Sequence, residues 1–161
     1  MNSIATLLTP ENMLLDLDVG SKKRVFEQVG LLLENHRHIA RGQIFDSLFA
    51  REKLGSTALG QGTAIPHGRI RGLRDAVGAL VRTREPIPFD APDGQPVNLI
   101  FVLLVPERAT DQHLQILSEL AQMFSDKAFR ARLLACPDAA AAHRLITEWQ
   151  IHAENQRNAA V

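Results

Sequence analysis

Tyrosine is absent from this chain, and tryptophan and cysteine occur once each in 161 residues. A lone cysteine, Cys136, excludes an internal disulfide; set in a Cys-Pro-Asp turn with no second thiol nearby, it reads as an inert, half-buried side chain. Net charge is also missing. Eighteen Lys and Arg offset eighteen Asp and Glu, so nothing draws the whole molecule to nucleic acid or an anionic membrane, although a local basic patch remains open to it. No long apolar run is present either. The most apolar stretch, LIFVLLV at 99–105, is far too short to cross a bilayer, and the opening MNSIATLLTPENMLLDLD has no basic leader. These absences point to a soluble cytoplasmic protein with no nucleic acid partner and no membrane insertion. Internal repeats and low-complexity segments are lacking as well, and the length suits one domain that closes its core without disulfides or metal.

The patterning supplies the elements. Ser21 is a candidate N-cap for a helix in which Val25, Phe26, Val29, Leu32 and Leu33 recur at helical spacing, ending near ENHRH. Ile44, Phe45, Leu48 and Phe49 predict a second helix, with Arg51 in its last turn and Gly55 closing it. The chain then turns small and glycine-punctuated over 56–62, and TAIP reads as a short strand running into His67. AVGALVR at 76–82 and VNLIFVLLV at 97–105 are too apolar to face water and read as central strands covered on both faces. Between them EPIPFDAPDGQP, with four prolines and an Asp-Gly, predicts an ordered turn region.

The last third predicts three helices: one capped by Thr110 or Asp111 with Leu114, Leu117, Leu120, Ala121 and Phe124 on its apolar face, one from about Asp126, and one through AAAAHRLITEW. Beyond Trp149 the polar tail should fray. The fold class expected is α/β: a single domain over 1–150, with a small mixed sheet flanked by helices on both faces, and a polar tail over 151–161.

One stretch, GQGTAIPHGR at 60–69, frames a histidine between proline and glycine. Pro66 fixes the approaching backbone and offers no N–H, while Gly68 lets the main chain turn and come close to a bulky anion. His67 then stands accessible at a strand end. A neutral imidazole keeps one free lone pair, which suits a nucleophile, a general base or a metal ligand equally. Two further residues favour phosphate. His113 falls in the first turn of a predicted helix, where the dipole and open N–H groups welcome an anion. Arg51 can supply a fixed fork of donors, and Arg69 stands beside the histidine.

The segment REKLGSTALGQGTAIPHGR at 51–69 resembles the signature of the enzyme IIA components of the phosphoenolpyruvate-dependent phosphotransferase system, fructose/mannitol class. In that family the histidine of a [Val/Ile]-Pro-His-Gly motif receives a phosphoryl group from the phosphohistidine of a small carrier protein, and His67 holds that position. The family's arginine sixteen residues earlier and histidine forty-six residues later, in a His-Leu-x-x-Leu helix, match Arg51 and His113. The resemblance runs from about residue 4 to 149; within the motif it departs only at Thr63, where Val or Ile is usual and a β-branched threonine fits equally well. The opening LLTPENMLLDLDVGSKKRVFEQVG and GSTALGQG are similar to the nitrogen-related branch, and no permease or second carrier domain is attached.

The resemblance implies a phosphocarrier and regulator. His67 Nε2 is the acceptor, giving the tele-phosphohistidine, with His113 and Arg51 as donors to the phosphoryl oxygens and Ser56, Gly68 and Arg69 in support. It implies no cofactor and no metal, since the donor arrives activated. The donor would be the small phosphocarrier of the nitrogen system, and the targets regulatory proteins such as potassium transport or sensor proteins. The alternative is a sugar-specific enzyme IIA that passes phosphate to a permease-linked IIB domain. Around the motif a brief protein encounter calls for an apolar docking face with few charges, with Leu54, Leu59 and Ile70 as candidates.

Other readings are weaker. His36, His38, His143 and His152 read as structural or solvated; His36 and His38 form His-x-His without a third ligand at helpful spacing. A hydrolase using Ser118 or Ser56, with Asp111 orienting a histidine, lacks a Gly-x-Ser-x-Gly elbow. A binding module without transfer sits poorly with an intact His67.

Overall fold

The computed structural model of the chain describes residues 4–108 and 111–159. Six helices and six strands follow the order α1 (Ile4–Leu7), a 3-10 turn (Pro10–Asn12), β1 (Met13–Leu17), α2 (Lys22–Arg37), α3 (Arg41–Lys53), β2 (Ala58–Gly60), β3 (Thr63–Ala64), β4 (His67–Ile70), β5 (Val77–Ile87), β6 (Val97–Pro106), α4 (Asp111–Ser125), α5 (Lys127–Ala135) and α6 (Ala139–Ala159). One mixed sheet runs β1-β5-β6-β3-β2, and β4 also lies beside β6. The β5–β6 pair is antiparallel, whereas β1 runs parallel to β5, and β3 and β4 run parallel to β6.

Period-two alternation in β5 and β6 divides the core into two. Leu80, Phe101 and Leu103 face α1, α4, α5 and α6, while Val81, Ile100, Val102 and Leu104 face α2 and α3. Burying each such side chain stabilises the fold by roughly 1.5–3 kcal/mol, so two strands this apolar can only be central ones. Helices therefore cover both faces of a small mixed sheet, as the sequence predicts. Among the described residues no helix is long and apolar enough to cross a membrane.

Helix ends follow local chemistry. Ser21 Oγ accepts the Arg24 N–H at 3.2 Å at the start of α2. Ala40 cannot cap α3, and Glu34 Oε2 takes the Arg41 N–H instead, at 2.9 Å. Asp126 accepts from Phe129 N–H at the start of α5. For α4 the alternative cap Thr110 lies outside the described residues.

Three segments differ from expectation. β5 does not stop at Arg82 but continues to Ile87, so Glu85, Pro86 and Ile87 belong to a strand rather than to the turn region. The ladder shifts register between Arg82 and Ile87, which spares Pro86 the N–H it lacks, and burial of Ile87 and Phe89 draws the segment in. β1 carries no strand signal of its own: its leucines are not β-branched, and Asp16 sits within it at φ +56°. Pairing with β5 supplies the strand, and Arg82 Nη2 holds the Asp16 carboxylate at 3.2 and 3.3 Å across the register shift. Finally, α6 does not fray at Trp149 but runs on to Ala159, through Ala, Glu, Gln and Arg, all strong helix formers.

Candidate functional site

The approach to His67 is tied down residue by residue. Ile65 N–H donates to the Thr57 carbonyl at 3.0 Å, and the Pro66 carbonyl accepts from Leu103 N–H at 2.9 Å. Thr57 itself is held by the buried carboxylate of Glu52, which accepts both its N–H and its hydroxyl. His67 thus opens a new strand, β4, rather than ending the short β3. Its Nδ1 lies 2.9 Å from the Ile65 carbonyl. A carbonyl only accepts, so Nδ1 carries the proton and Nε2 keeps its lone pair.

Gly68 has a packing reason to be glycine that the sequence does not show. A Cβ there would run into Ser47 Oγ and lie 3.2 Å from the Ser47 carbonyl carbon, so its bareness makes room for α3. The strand alternation then leaves His67 half-buried and Arg69 exposed on one face, with Gly68 and Ile70 on the other.

His67 lies in a cleft of about 970 Å³. The floor is β4 and β6, with Gly68, Arg69, Leu103 and Val105 beside the histidine. One wall is α3, presenting Gln43, Asp46, Ser47 and Arg51; the other is α4, presenting His113, Leu114 and Leu117. His113 is in the first turn of α4, at the positive end of its dipole. Arg51 Nη1 donates to the Gly55 carbonyl at 2.8 Å, which steadies the guanidinium at the end of α3 while only one of its five donors is used. Three donor-bearing side chains, His67, Arg51 and His113, therefore share a cleft although 62 residues of sequence, from 51 to 113, separate the outer two. Arg69 lines it as well.

Ser56 does not line this cleft. Its hydroxyl bonds the Phe89 carbonyl and accepts from Ala58 N–H at 3.1 Å, the work of a turn residue. Ser118 is exposed on α4 and lies outside the lining too, so neither serine of the hydrolase reading stands in the cleft with His67. Of the three apolar docking candidates, Leu54 is 84% exposed at the cleft and Leu59 is 44% exposed, but Ile70 is buried, because alternation turns it away from His67 toward α3. Leu114, 65% exposed, takes its place at the cleft mouth. The rim also carries more charge than expected, with Arg51, Arg69 and Asp46.

Gln43 and Ser47 were not singled out by sequence reasoning, and Leu114, expected on the apolar face of α4, is exposed at the cleft instead. The first two could have been found by stepping back from Arg51 one and two helical turns, to i−4 and i−8 on the same stripe. Three of the other four histidines have local roles: His36 Nδ1 bonds the Glu11 carbonyl at 2.9 Å, His143 Nε2 the Ala5 carbonyl at 3.0 Å, and His38 ends α2 in a left-handed conformation, while His152 is exposed on α6. Among the described residues no three His, Cys, Asp or Glu side chains converge to hold a metal ion. Cys136 is buried, more fully than expected, and that burial raises its thiol pKa.

Known proteins share this design. The chain is 43% identical to a nitrogen regulatory protein of Pseudomonas aeruginosa over 151 residues, covering 93% of this chain and 98% of that one. It is 54% identical to the crystal structure of nitrogen regulatory protein IIA-Ntr from Neisseria meningitidis, with a TM-score of 0.84 over 89% of this chain and 98% of the other. The crystal structure of IIA mannitol from Escherichia coli shares the fold alone, at 19% identity and a TM-score of 0.71 over 86% of this chain and 97% of that one. Residues 6–149 match the model of the phosphoenolpyruvate-dependent sugar phosphotransferase system EIIA 2 family, and the chain belongs to that family.

Proposed function

We propose that the chain is a nitrogen-regulatory enzyme IIA that works in the cytoplasm, accepting a phosphoryl group on His67 Nε2 from the phosphohistidine of a small carrier protein. One observation carries this reading: the Ile65 carbonyl fixes the proton on Nδ1, so the lone pair of Nε2 is available in a cleft that also holds Arg51 and His113. The Nε2 lone pair attacks phosphorus, the phosphorus–nitrogen bond of the donor breaks, and the donor imidazole recovers its pair. Nδ1–H stays with Ile65 throughout. A loose transition state asks for in-line positioning and for donors on the three equatorial oxygens. Arg51 and His113 supply donors from opposite walls, and Arg69 adds positive charge beside them. The product puts about two negative charges on an imidazole that carried none, which can attract or repel a partner surface. Regulatory targets such as potassium transport or sensor proteins would read that change. Identities of 43% and 54% to nitrogen regulatory relatives, against 19% to the mannitol protein, support the nitrogen branch over sugar delivery.

The test is a reconstituted relay of phosphoenolpyruvate, enzyme I, carrier protein and this chain, as wild type and as His67→Gln. Intact mass is read at neutral and acidic pH. A phosphoryl mass on the wild type alone, lost in acid, is the expected result, with faster transfer from the nitrogen carrier than from the sugar carrier. Labelling of His67→Gln, or no labelling from either carrier, would overturn the proposal.

A further inference from the structure

Helix α3 meets β4 through three adjoining contacts that the phosphoryl-transfer scheme leaves unused. Ser47 Oγ donates to the Arg69 carbonyl at 2.9 Å. One turn earlier, Gln43 Nε2 donates to the Arg71 carbonyl at 3.3 Å. Gly68 lies bare against Ser47 between them. The carbonyls concerned are on the open edge of the strand. Pro66 turns its carbonyl toward β6, as do Gly68 and Ile70 by alternation, so those of Arg69 and Arg71 point the other way. Ser47 and Gln43 thus occupy acceptors that an edge strand would otherwise leave open.

Gln43, Ser47 and Arg51 fall at i, i+4 and i+8, one stripe of α3. The two side chains that fasten the helix to the strand of His67 therefore lie in line with the guanidinium. Anchoring of α3 as such falls to Ile44 and Leu48, both buried beneath the sheet. What those apolar contacts do not fix is register, because apolar burial is non-directional while a hydrogen bond specifies an atom. A slip of one residue along the helix would carry Arg51 about 1.5 Å along its axis. Misplacement on the order of 1 Å can cost about 100-fold in rate.

We propose that Ser47, aided by Gln43, is a positioning residue: by locking α3 onto the open edge of β4 it sets the distance between the Arg51 guanidinium and the His67 imidazole. The proposal rests on His67 being the phosphoryl acceptor, and its test separates the two. Wild type, Ser47→Ala, Arg51→Ala and the double variant are compared in single-turnover transfer from the carrier protein. His67 is labelled in parallel with phosphoramidate, a small donor that needs no docking, with His67→Gln as control. Ser47→Ala is expected to slow transfer about 3- to 10-fold, the effect of one hydrogen bond, with carrier KM unchanged. In the Arg51→Ala background the same substitution should change nothing, because there is no guanidinium left to place. Equal slowing in both backgrounds, or no slowing in the wild-type background, overturns the proposal. Transfer from the carrier protein that persists in His67→Gln overturns the acceptor assignment and this proposal with it. Should Ser47→Ala fold poorly, Gln43→Leu, which removes the longer bond and leaves Ser47 in place, goes through the same cycle under the same criteria.

Discussion

Both walls of the cleft are seated by apolar packing, and α3 is in addition pinned to the strand by hydrogen bonds. Wall α3 is fixed to the strand beside it by named atoms, Ser47 Oγ on the Arg69 carbonyl and Gln43 Nε2 on the Arg71 carbonyl. Wall α4 is seated by Ile116, Leu120, Met123 and Phe124 in the apolar core. Hydrogen bonds specify position, whereas apolar contact rewards area and tolerates small slides. Arg51, on the fixed wall, is therefore expected to matter more than His113. Loss of one preorganised donor to transition-state charge costs about 10²–10³-fold in rate, and Arg51→Ala should fall in that range. His113→Ala, which removes a single donor where Arg51 offers a fork of them, should cost about 10-fold. Single-turnover transfer to each variant measures both, and a larger loss at His113 would reverse the ranking of the walls.

The same contrast explains what could be read without coordinates. β5 and β6 were legible because full burial on both faces leaves a run of Val, Leu and Ile that has no other use. Helices α2, α3 and α4 were legible from apolar spacing, and the start of α2 from Ser21 as its cap. His67, Arg51 and His113 could be singled out by residue type and local frame, but that they act together was legible only through family resemblance; spacing alone cannot bring residues 51, 67 and 113 into one cleft, since a six-stranded sheet and its crossovers do that. β1 was not legible, because its strand character comes from β5 and from Arg82 holding Asp16. The reason for Gly68 was hidden as well, because close approach of a helix leaves no trace in the residues on either side of the glycine.

Gly68 offers the next way to sharpen the contrast. Gly68→Ala drives a Cβ into Ser47 Oγ and against its carbonyl carbon, wedging the fixed wall from the strand. Overpacking of this kind costs about 1–3 kcal/mol, read as a lower urea midpoint at unchanged m-value. In a Ser47→Ala background the penalty should shrink, because the hydroxyl is gone and only the contacts with the Cβ and the carbonyl carbon, both at 3.2 Å, remain. An equal penalty in both backgrounds would place the strain elsewhere.

At the cleft mouth each wall contributes one exposed leucine, Leu54 from the end of α3 and Leu114 from α4. Neither is buried, so Leu54→Ala and Leu114→Ala should leave the unfolding midpoint within error. If the carrier docks here, each should raise its KM about tenfold, equivalent to about 1.4 kcal/mol of interface, while labelling by phosphoramidate stays unchanged. Unchanged KM in both would move the docking face away from the cleft mouth.

The smallest effect is expected outside both walls. The Asp93 carboxylate accepts the N–H groups of Gln61, at 3.0 Å, and of Gln95, at 3.1 Å, and so latches the β2–β3 turn, where Gln61 sits at φ +57°, to the loop before β6. These bonds, Gln61 first, hold its pKa below the usual carboxylate value. A depressed folded pKa means stability that is present above the unfolded value of about 3.9 and is lost as pH falls through the folded one. Asp93→Asn should therefore lower Tm slightly and by a constant amount above about pH 5, and the two proteins should converge as pH falls through the folded pKa of Asp93. Transfer to His67 should not change, because the latch touches neither wall. A Tm gap that persists undiminished in acid would show that the carboxylate acts through shape rather than charge, and a slowed transfer would mean that the β2–β3 turn, not only α3, sets the histidine in place.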